Sequence, residues 1–99
     1  MTNSDLIVMT PATAKEGKEQ AVYEALGEVA RAARARPGCV DYRIFRSAED
    51  AARSVTFERW SSKEERDRFL AGPDVKAFGA AVSGAFVQSP QPASYQDLD

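Results

Sequence analysis

Apolar positions recur along this chain in three rhythms, and each predicts a kind of element. Leu6 to Met9 are apolar without a break. In a strand over residues 5–10, Leu6 and Val8 point to one face and Ile7 and Met9 to the other. A strand apolar on both faces belongs inside a sheet, covered on both sides. Pro11, which lacks an amide N–H, is expected to close it. From Lys15 to Ala35 the rhythm becomes helical. Val22, Leu26, Val29 and Ala33 form one stripe, widened by Tyr23 and Ala30. Gly27 interrupts this helix at a cost of about 1 kcal/mol against Ala. Arg31, Arg34 and Arg36 suit the negative end of its dipole, and Pro37-Gly38 stops it.

Strict alternation follows twice. In Cys39–Ser47, Val40, Tyr42 and Ile44 share one face, and Asp41, Arg43 and Phe45 the other. In Arg53–Trp60, Val55 and Phe57 face one way, and Thr56, Glu58 and Trp60 the other. The short polar connection between the two runs predicts an antiparallel hairpin. Ser62 and Glu65 fit a capping box that opens a helix. That helix carries Phe69 and Leu70 inward and ends at Gly72-Pro73. Asp74 is expected to cap a further helix with Val75, Phe78 and Val82 on one stripe. From Ala85 the chain reads as extended, broken by Pro90 and Pro92, and Ala93–Leu98 reads as a last strand. Few of its residues are apolar, which marks an edge.

The order strand, helix, strand, strand, helix pair, strand predicts an α+β fold. It is the ferredoxin-like βαββαβ arrangement, a four-stranded antiparallel sheet with helices on one face. Residues 1–99 form one domain in this reading, with the first and third strands central. The face without helices also carries apolar side chains, so a second subunit is expected to cover it.

Composition narrows the chemistry. Thirteen basic and fifteen acidic residues leave a net charge of −2, which gives no general attraction to nucleic acid or anionic membrane. The run RSVTFERW also lacks the basic-Gly-aromatic pattern of base-stacking sheets. Leu6–Met9 is too short for a signal core or a membrane span. One cysteine, Cys39, allows no internal disulfide, so a reducing cytoplasm is the expected setting. The chain has no histidine. That excludes Ser-His-Asp and Cys-His nucleophile systems, Cys/His zinc sites and His-ligated haem. Neither a metal nor another cofactor is expected.

Three stretches, ATAKEGKEQAV, ARPGCVDYRIFRS and FERWSSKEERDRFLAGPDVKAF, together resemble the antibiotic biosynthesis monooxygenase domain family over nearly the whole chain. The resemblance implies a dimeric α+β barrel in which the sheets of two subunits pack together and the C-terminal strand often crosses to the partner. It also implies oxidation of aromatic polyketides or quinols by O₂ with no metal or flavin. The family tryptophan that ends the third strand corresponds to Trp60. Some members place an asparagine four residues earlier, where this chain has Thr56, which cannot reproduce the amide's paired donor and acceptor. The haem-degrading branch shares only Trp60. Its first-strand asparagine falls at Met9, and its histidine has no counterpart here.

The site candidates carry two readings each. Trp60 is either a cavity wall or a core plug packed under Phe69 and Leu70. Glu58 shares its face with Thr56 and Trp60. Facing the helices, Glu58 is a buried base for a phenol or quinol proton; on the rim, it pairs across the hairpin with Arg43 or Arg46. The opposite register, with Val55 and Phe57 toward the helices, sends it to the subunit interface. Tyr42 is a proton donor or stacking surface, or a structural strand tyrosine. Arg43 and Arg66 are candidates to stabilise an anionic intermediate, and Tyr95 to reach a partner's cavity. Without a histidine to activate it, Cys39 reads as an inert thiol. The reading drawn from all this is a cofactor-independent monooxygenase homodimer. Trp60, Glu58 and Tyr42 form its catalytic set, and Thr56, Arg43, Arg66, Phe69 and Phe78 hold an aromatic substrate beside O₂. The alternative is a non-catalytic small-molecule-binding or scaffold dimer of the same fold.

Overall fold

The computed structural model describes residues 5–99, so the first four residues of the expected domain lie outside it. Seven elements follow in chain order: β1 (Leu6–Thr13), α1 (Glu19–Arg34), β2 (Cys39–Arg46), β3 (Arg53–Trp60), α2 (Lys63–Leu70), α3 (Pro73–Ala81) and β4 (Ala93–Tyr95). The sheet is antiparallel in the order β2-β3-β1-β4, so the first and third strands are central, as the βαββαβ order predicts. This is the α+β, ferredoxin-like arrangement. No helix among the described residues is long and apolar enough to cross a membrane.

The differences from the sequence reading have local causes. Strand β1 runs through Pro11 to Thr13. Its β4 partner covers only Ile7 to Met9, and the chain after α3 pairs again at Ala14 and Phe86. Pro11 lies in the unpaired gap between these contacts, where a missing amide is tolerated. Helix α1 starts at Glu19 rather than Lys15, because Gly17, at a φ of 83°, makes a turn first. Helix α3 is capped by Gly72 with Pro73 at its start, and Asp74 lies in the first turn, where its charge suits the dipole. Ser62 accepts from the Glu65 amide at 3.2 Å, but the Glu65 carboxylate pairs with Arg68 instead of completing the box.

A bulge between Cys39 and Asp41 makes the largest correction. Val40 is the extra residue there, and it leaves the inner face and stands 55% exposed. After it the alternation resumes, with Tyr42 and Ile44 inward. On β3 the inner residues are Ser54, Thr56, Glu58 and Trp60, all buried. The polar stripe of β3 therefore faces the helices, and Val55 and Phe57 face away. The core packs Val22, Leu26, Val29, Ala30 and Ala33 of α1 against this inner sheet face, with Phe69 beside Trp60.

Candidate functional site

A cavity of about 170 Å³ lies between the sheet and the helices. Its floor is the inner sheet face, through Thr10, Ala12, Tyr42, Thr56 and Glu58. Leu26 and Val29 of α1, Phe69 and Leu70 of α2, and Val75 and Phe78 of α3 form the apolar walls. Phe86, Pro90 and Pro92 close one side. They are brought there because the chain after α3 runs back along β1, with the Val87 amide donating to Thr13 O at 2.8 Å before β4 forms.

One end of the cavity is polar. Glu58 is only 4% exposed, and its position follows from the register that sets it between Val8 and Tyr42 on the neighbouring strands. Its Oε1 accepts from Trp60 Nε1 at 2.9 Å and from Arg66 Nε at 3.0 Å. Its Oε2 has one long contact, to Arg66 Nη2 at 3.4 Å. Both groups are largely removed from water, and the indole N–H of Trp60 and the guanidinium of Arg66 compensate the buried carboxylate. Arg66 comes from the first turns of α2, which the Ser62 cap anchors directly after β3. Across the strand pair, Tyr42 is 6% exposed and lines the same cavity, and its hydroxyl has no hydrogen-bond partner among the described residues. Burial raises the Tyr42 phenol well above its ordinary value of 10.0, and the negative charge of Glu58 adds to this, with Arg66 pulling the other way. Thr56, 7% exposed, and Thr10 add their hydroxyl side chains to the floor. Burial also raises the Cys39 thiol, helped by the charge of Glu58, which fits an inert cysteine. Among the described residues no group of three His, Cys, Asp or Glu side chains gathers as metal ligands.

Six of the eight residues singled out in the sequence meet at this cavity: Tyr42, Thr56, Glu58, Arg66, Phe69 and Phe78. Two do not. Arg43 projects from the outer face of the sheet, because strand alternation sends it opposite to Tyr42; there it pairs with Asp41 at 3.0 Å, its side chain 64% exposed. Trp60 has no exposed surface and does not line the cavity. Phe69, with its ring 5.5 Å from the indole, takes the place of a wall in front of it. Glu58 pairs with Arg66 rather than with Arg43 or Arg46. Tyr95 lies half exposed on the edge strand, where it pairs with Ile7.

The sequence reading passed over Thr10, Ala12 and the proline pair. Thr10 and Ala12 continue the inward set of Leu6 and Val8, so period-two alternation across Pro11 would have found them. Pro90 and Pro92 reach the cavity by a long-range return of the chain, for which local pattern holds no signal.

The family model described as antibiotic biosynthesis monooxygenase matches residues 5–81. No curated protein matches the chain. Among solved structures, a Nitrosomonas europaea protein provisionally described as an antibiotic biosynthesis monooxygenase superposes with a TM-score of 0.92 at 18% identity, covering 99% of this chain and 94% of its own. Rv0793 of Mycobacterium tuberculosis gives 0.88 at 23% identity, with 97% of each chain covered. A Bordetella bronchiseptica protein with the same provisional description gives 0.80 at 17% identity, covering 95% and 97%. At these identities the structures establish a shared fold.

Proposed function

The chain belongs to the antibiotic biosynthesis monooxygenase family, and we propose that it is a cofactor-independent monooxygenase that oxidises a small phenolic or hydroquinone-type aromatic compound with O₂. The observation that carries this reading is the buried Glu58 carboxylate at the polar end of an otherwise apolar cavity, beside a Tyr42 hydroxyl with no partner. A substrate O–H reaching that end meets a proton acceptor in Glu58, a cation in Arg66 and a hydrogen-bond donor in Tyr42. Phe69 and Phe78 hold the ring.

The chemistry proceeds from proton loss. Glu58 takes the phenolic proton, and the electron pair stays on the substrate, delocalised over the ring. Arg66 and Tyr42 favour this anion in surroundings from which water is largely excluded. The electron-rich ring passes one electron to O₂, and the superoxide and substrate radical combine into a carbon-bound peroxide. The peroxide takes the proton held on Glu58, and loss of the hydrogen on the same carbon breaks the O–O bond, leaving one oxygen as a carbonyl, or as its enol at the quinone oxidation level, and releasing the other as water. The substrate itself supplies the electrons. A cavity of about 170 Å³ is close to the ~150 Å³ apolar cavities that hold a single aromatic ring. It suits one or two rings better than an extended polycyclic polyketide. The protein acts in this reading as a homodimer in the cytoplasm, without nucleic acid or membrane as partner.

Oxygen-electrode traces with a panel of hydroquinones, naphthohydroquinones and anthrone test the proposal. Uptake above the spontaneous rate is expected, falling at least about a hundredfold in Glu58→Gln, the lower end of what general bases supply. Uptake equal in the protein and in a Glu58→Gln/Tyr42→Phe double variant would sink it. A second reading, a binding protein without turnover, is favoured by one observation: Glu58 already spends Oε1 on Trp60 and Arg66. Saturable quenching of Trp60 fluorescence by the same aromatics without O₂ uptake would select it.

A further inference from the structure

We propose that Trp60 is a positioning residue: its indole N–H, with Arg66 Nε, saturates Oε1 of Glu58 and thereby assigns proton transfer to Oε2. The proposal rests on the monooxygenase reading for its kinetic consequence and on geometry for the rest. The indole is wholly buried behind Phe69 and has no cavity surface, so it cannot touch a bound ring. Its single polar atom is spent on Glu58 at 2.9 Å, within the range of a well-formed bond to a charged acceptor. Arg66 Nε meets the same oxygen at 3.0 Å. The second oxygen has only the 3.4 Å contact, longer than a good N–H···O bond. The two carboxylate oxygens are thus unequal. Oε1 is a fixed anchor, and Oε2 keeps lone pairs for a substrate proton. The substrate O–H bond breaks, its electron pair stays on the substrate oxygen, and the proton bonds to Oε2.

The register explains why an indole is needed. Trp60 lies two residues after Glu58 on the same strand face, at the end of β3 opposite Leu6 of β1 and Cys39 of β2. A side chain reaching back along the strand to a carboxylate must be long, rigid and a donor without being an acceptor, which describes tryptophan. The other titratable groups facing Glu58 are Tyr42 and Cys39 from β2 and Arg66 from α2. The phenol and thiol are both pushed up, so they stay neutral through the working range, and the guanidinium stays charged.

The chain has one tryptophan, so the ¹⁵N-labelled full chain gives one indole cross-peak. That peak is expected to lie downfield and exchange slowly with solvent. It should move upfield in Glu58→Gln and follow a single titration on acidification that coincides with the acidic limb of O₂ uptake. In Trp60→Phe the N–H is lost and the ring packing largely kept. Its kcat should fall about tenfold, as loss of one charged hydrogen bond implies. KM should stay within about twofold, because the indole does not touch substrate, and the acidic limb should move to higher pH because the carboxylate has lost a donor. A plain packing role predicts lower stability with the limb unmoved. If Trp60→Phe fails to fold, the Glu58→Gln spectrum still decides. An indole peak indifferent to Glu58→Gln, or an unmoved acidic limb in Trp60→Phe, overturns the inference. Absence of O₂ uptake in the unaltered protein overturns the monooxygenase reading instead, so the two failures are separable.

Discussion

At the scale of single residues, the site is built by what is missing as much as by what is present. The Tyr42 side chain is buried against the cavity and its hydroxyl has no partner among the described residues, so its removal costs the folded protein no hydrogen bond. Tyr42→Phe is expected to change stability at pH 7 by less than about 1 kcal/mol in chemical denaturation. The pH dependence should differ. Burial and the charge of Glu58 hold the phenol protonated above its ordinary value of 10.0, and an acid whose folded pKa is raised binds its proton more tightly in the folded state. Its contribution is whole below pH 10 and is lost as pH rises beyond it, where the unfolded chain ionises first. Between pH 10 and 12 the parent should lose stability faster than Tyr42→Phe, and parallel curves would show the phenol to be solvated. Such a residue was legible in the sequence as a candidate, because Tyr42, Thr56 and Glu58 occupy alternating inward positions of a hairpin. Its company was not. The Glu58–Arg66 pair joins a strand to a helix, and whether Glu58 meets Arg66 or Arg46 depends on which face turns inward, which alternation alone leaves open.

At the scale of elements, two glycines show how placement reverses the effect of one methyl group. Gly38 ends the turn from α1 into β2 beneath the start of α2. A Cβ there would collide with the Cβ and Cγ of Glu65, atoms too near the backbone to swing aside. The Gly38 carbonyl also accepts the Ser61 amide at 2.8 Å, tying the start of β2 to the end of β3. Gly38→Ala is expected to destabilise by about 1–3 kcal/mol, the usual range for overpacking, and to loosen the helix that carries Arg66. Gly27, in the middle of α1, would place its Cβ near only the Arg31 Nη1 atom at an ordinary 3.8 Å. Gly27→Ala should therefore stabilise by about 0.5–1 kcal/mol, and 1 kcal/mol raises Tm by roughly 4–8 °C in a domain of this size. Calorimetry of the two variants should move in opposite directions; a loss of stability in Gly27→Ala would mean that α1 is more tightly packed than its contacts indicate. The elements themselves were readable from periodicity, and their limits moved where non-local pairing intervened. Pro11 is accepted into β1 because the neighbouring edge is open there. Val40 is turned out by a bulge that pairing with β3 imposes, and the expected six-residue last strand shortens to Ala93–Tyr95, which pairs only with Ile7 to Met9 of β1.

At the scale of the whole molecule, β3 poses a problem of burial that one chain does not solve. Its polar stripe faces inward to the cavity, and its apolar stripe, Val55 and Phe57, faces away from the helices. Around it on the outer face stand Phe45, 53% exposed, and Val55, 38% exposed, with Met9 and Phe57 half-buried. An apolar face of this kind, free of helices across three strands, is the one a second copy of the chain is expected to cover. The same inversion explains how an apolar cavity with a carboxylate at its end can coexist with a small core. Burial beyond the single chain would release the inner face from carrying the whole hydrophobic load. Phe45→Asp places a charge on that face, beside Val55 at its β2 edge, without touching the cavity. In size-exclusion chromatography with light scattering, the parent should elute at twice the protomer mass and the variant at the protomer mass, with weaker thermal stability that no longer depends on protein concentration. A parent that stays monomeric at high concentration would refute the pairing, and a variant that still pairs would place the contact elsewhere. Aromatic binding to the monomeric variant, followed by Trp60 quenching, then asks whether the cavity stands on its own. The floor and walls that this chain supplies, from Tyr42, Thr56 and Glu58 to Phe69 and Phe78, already surround the cavity, so binding should survive dissociation; its loss in the monomeric variant would mean that the second copy completes the site.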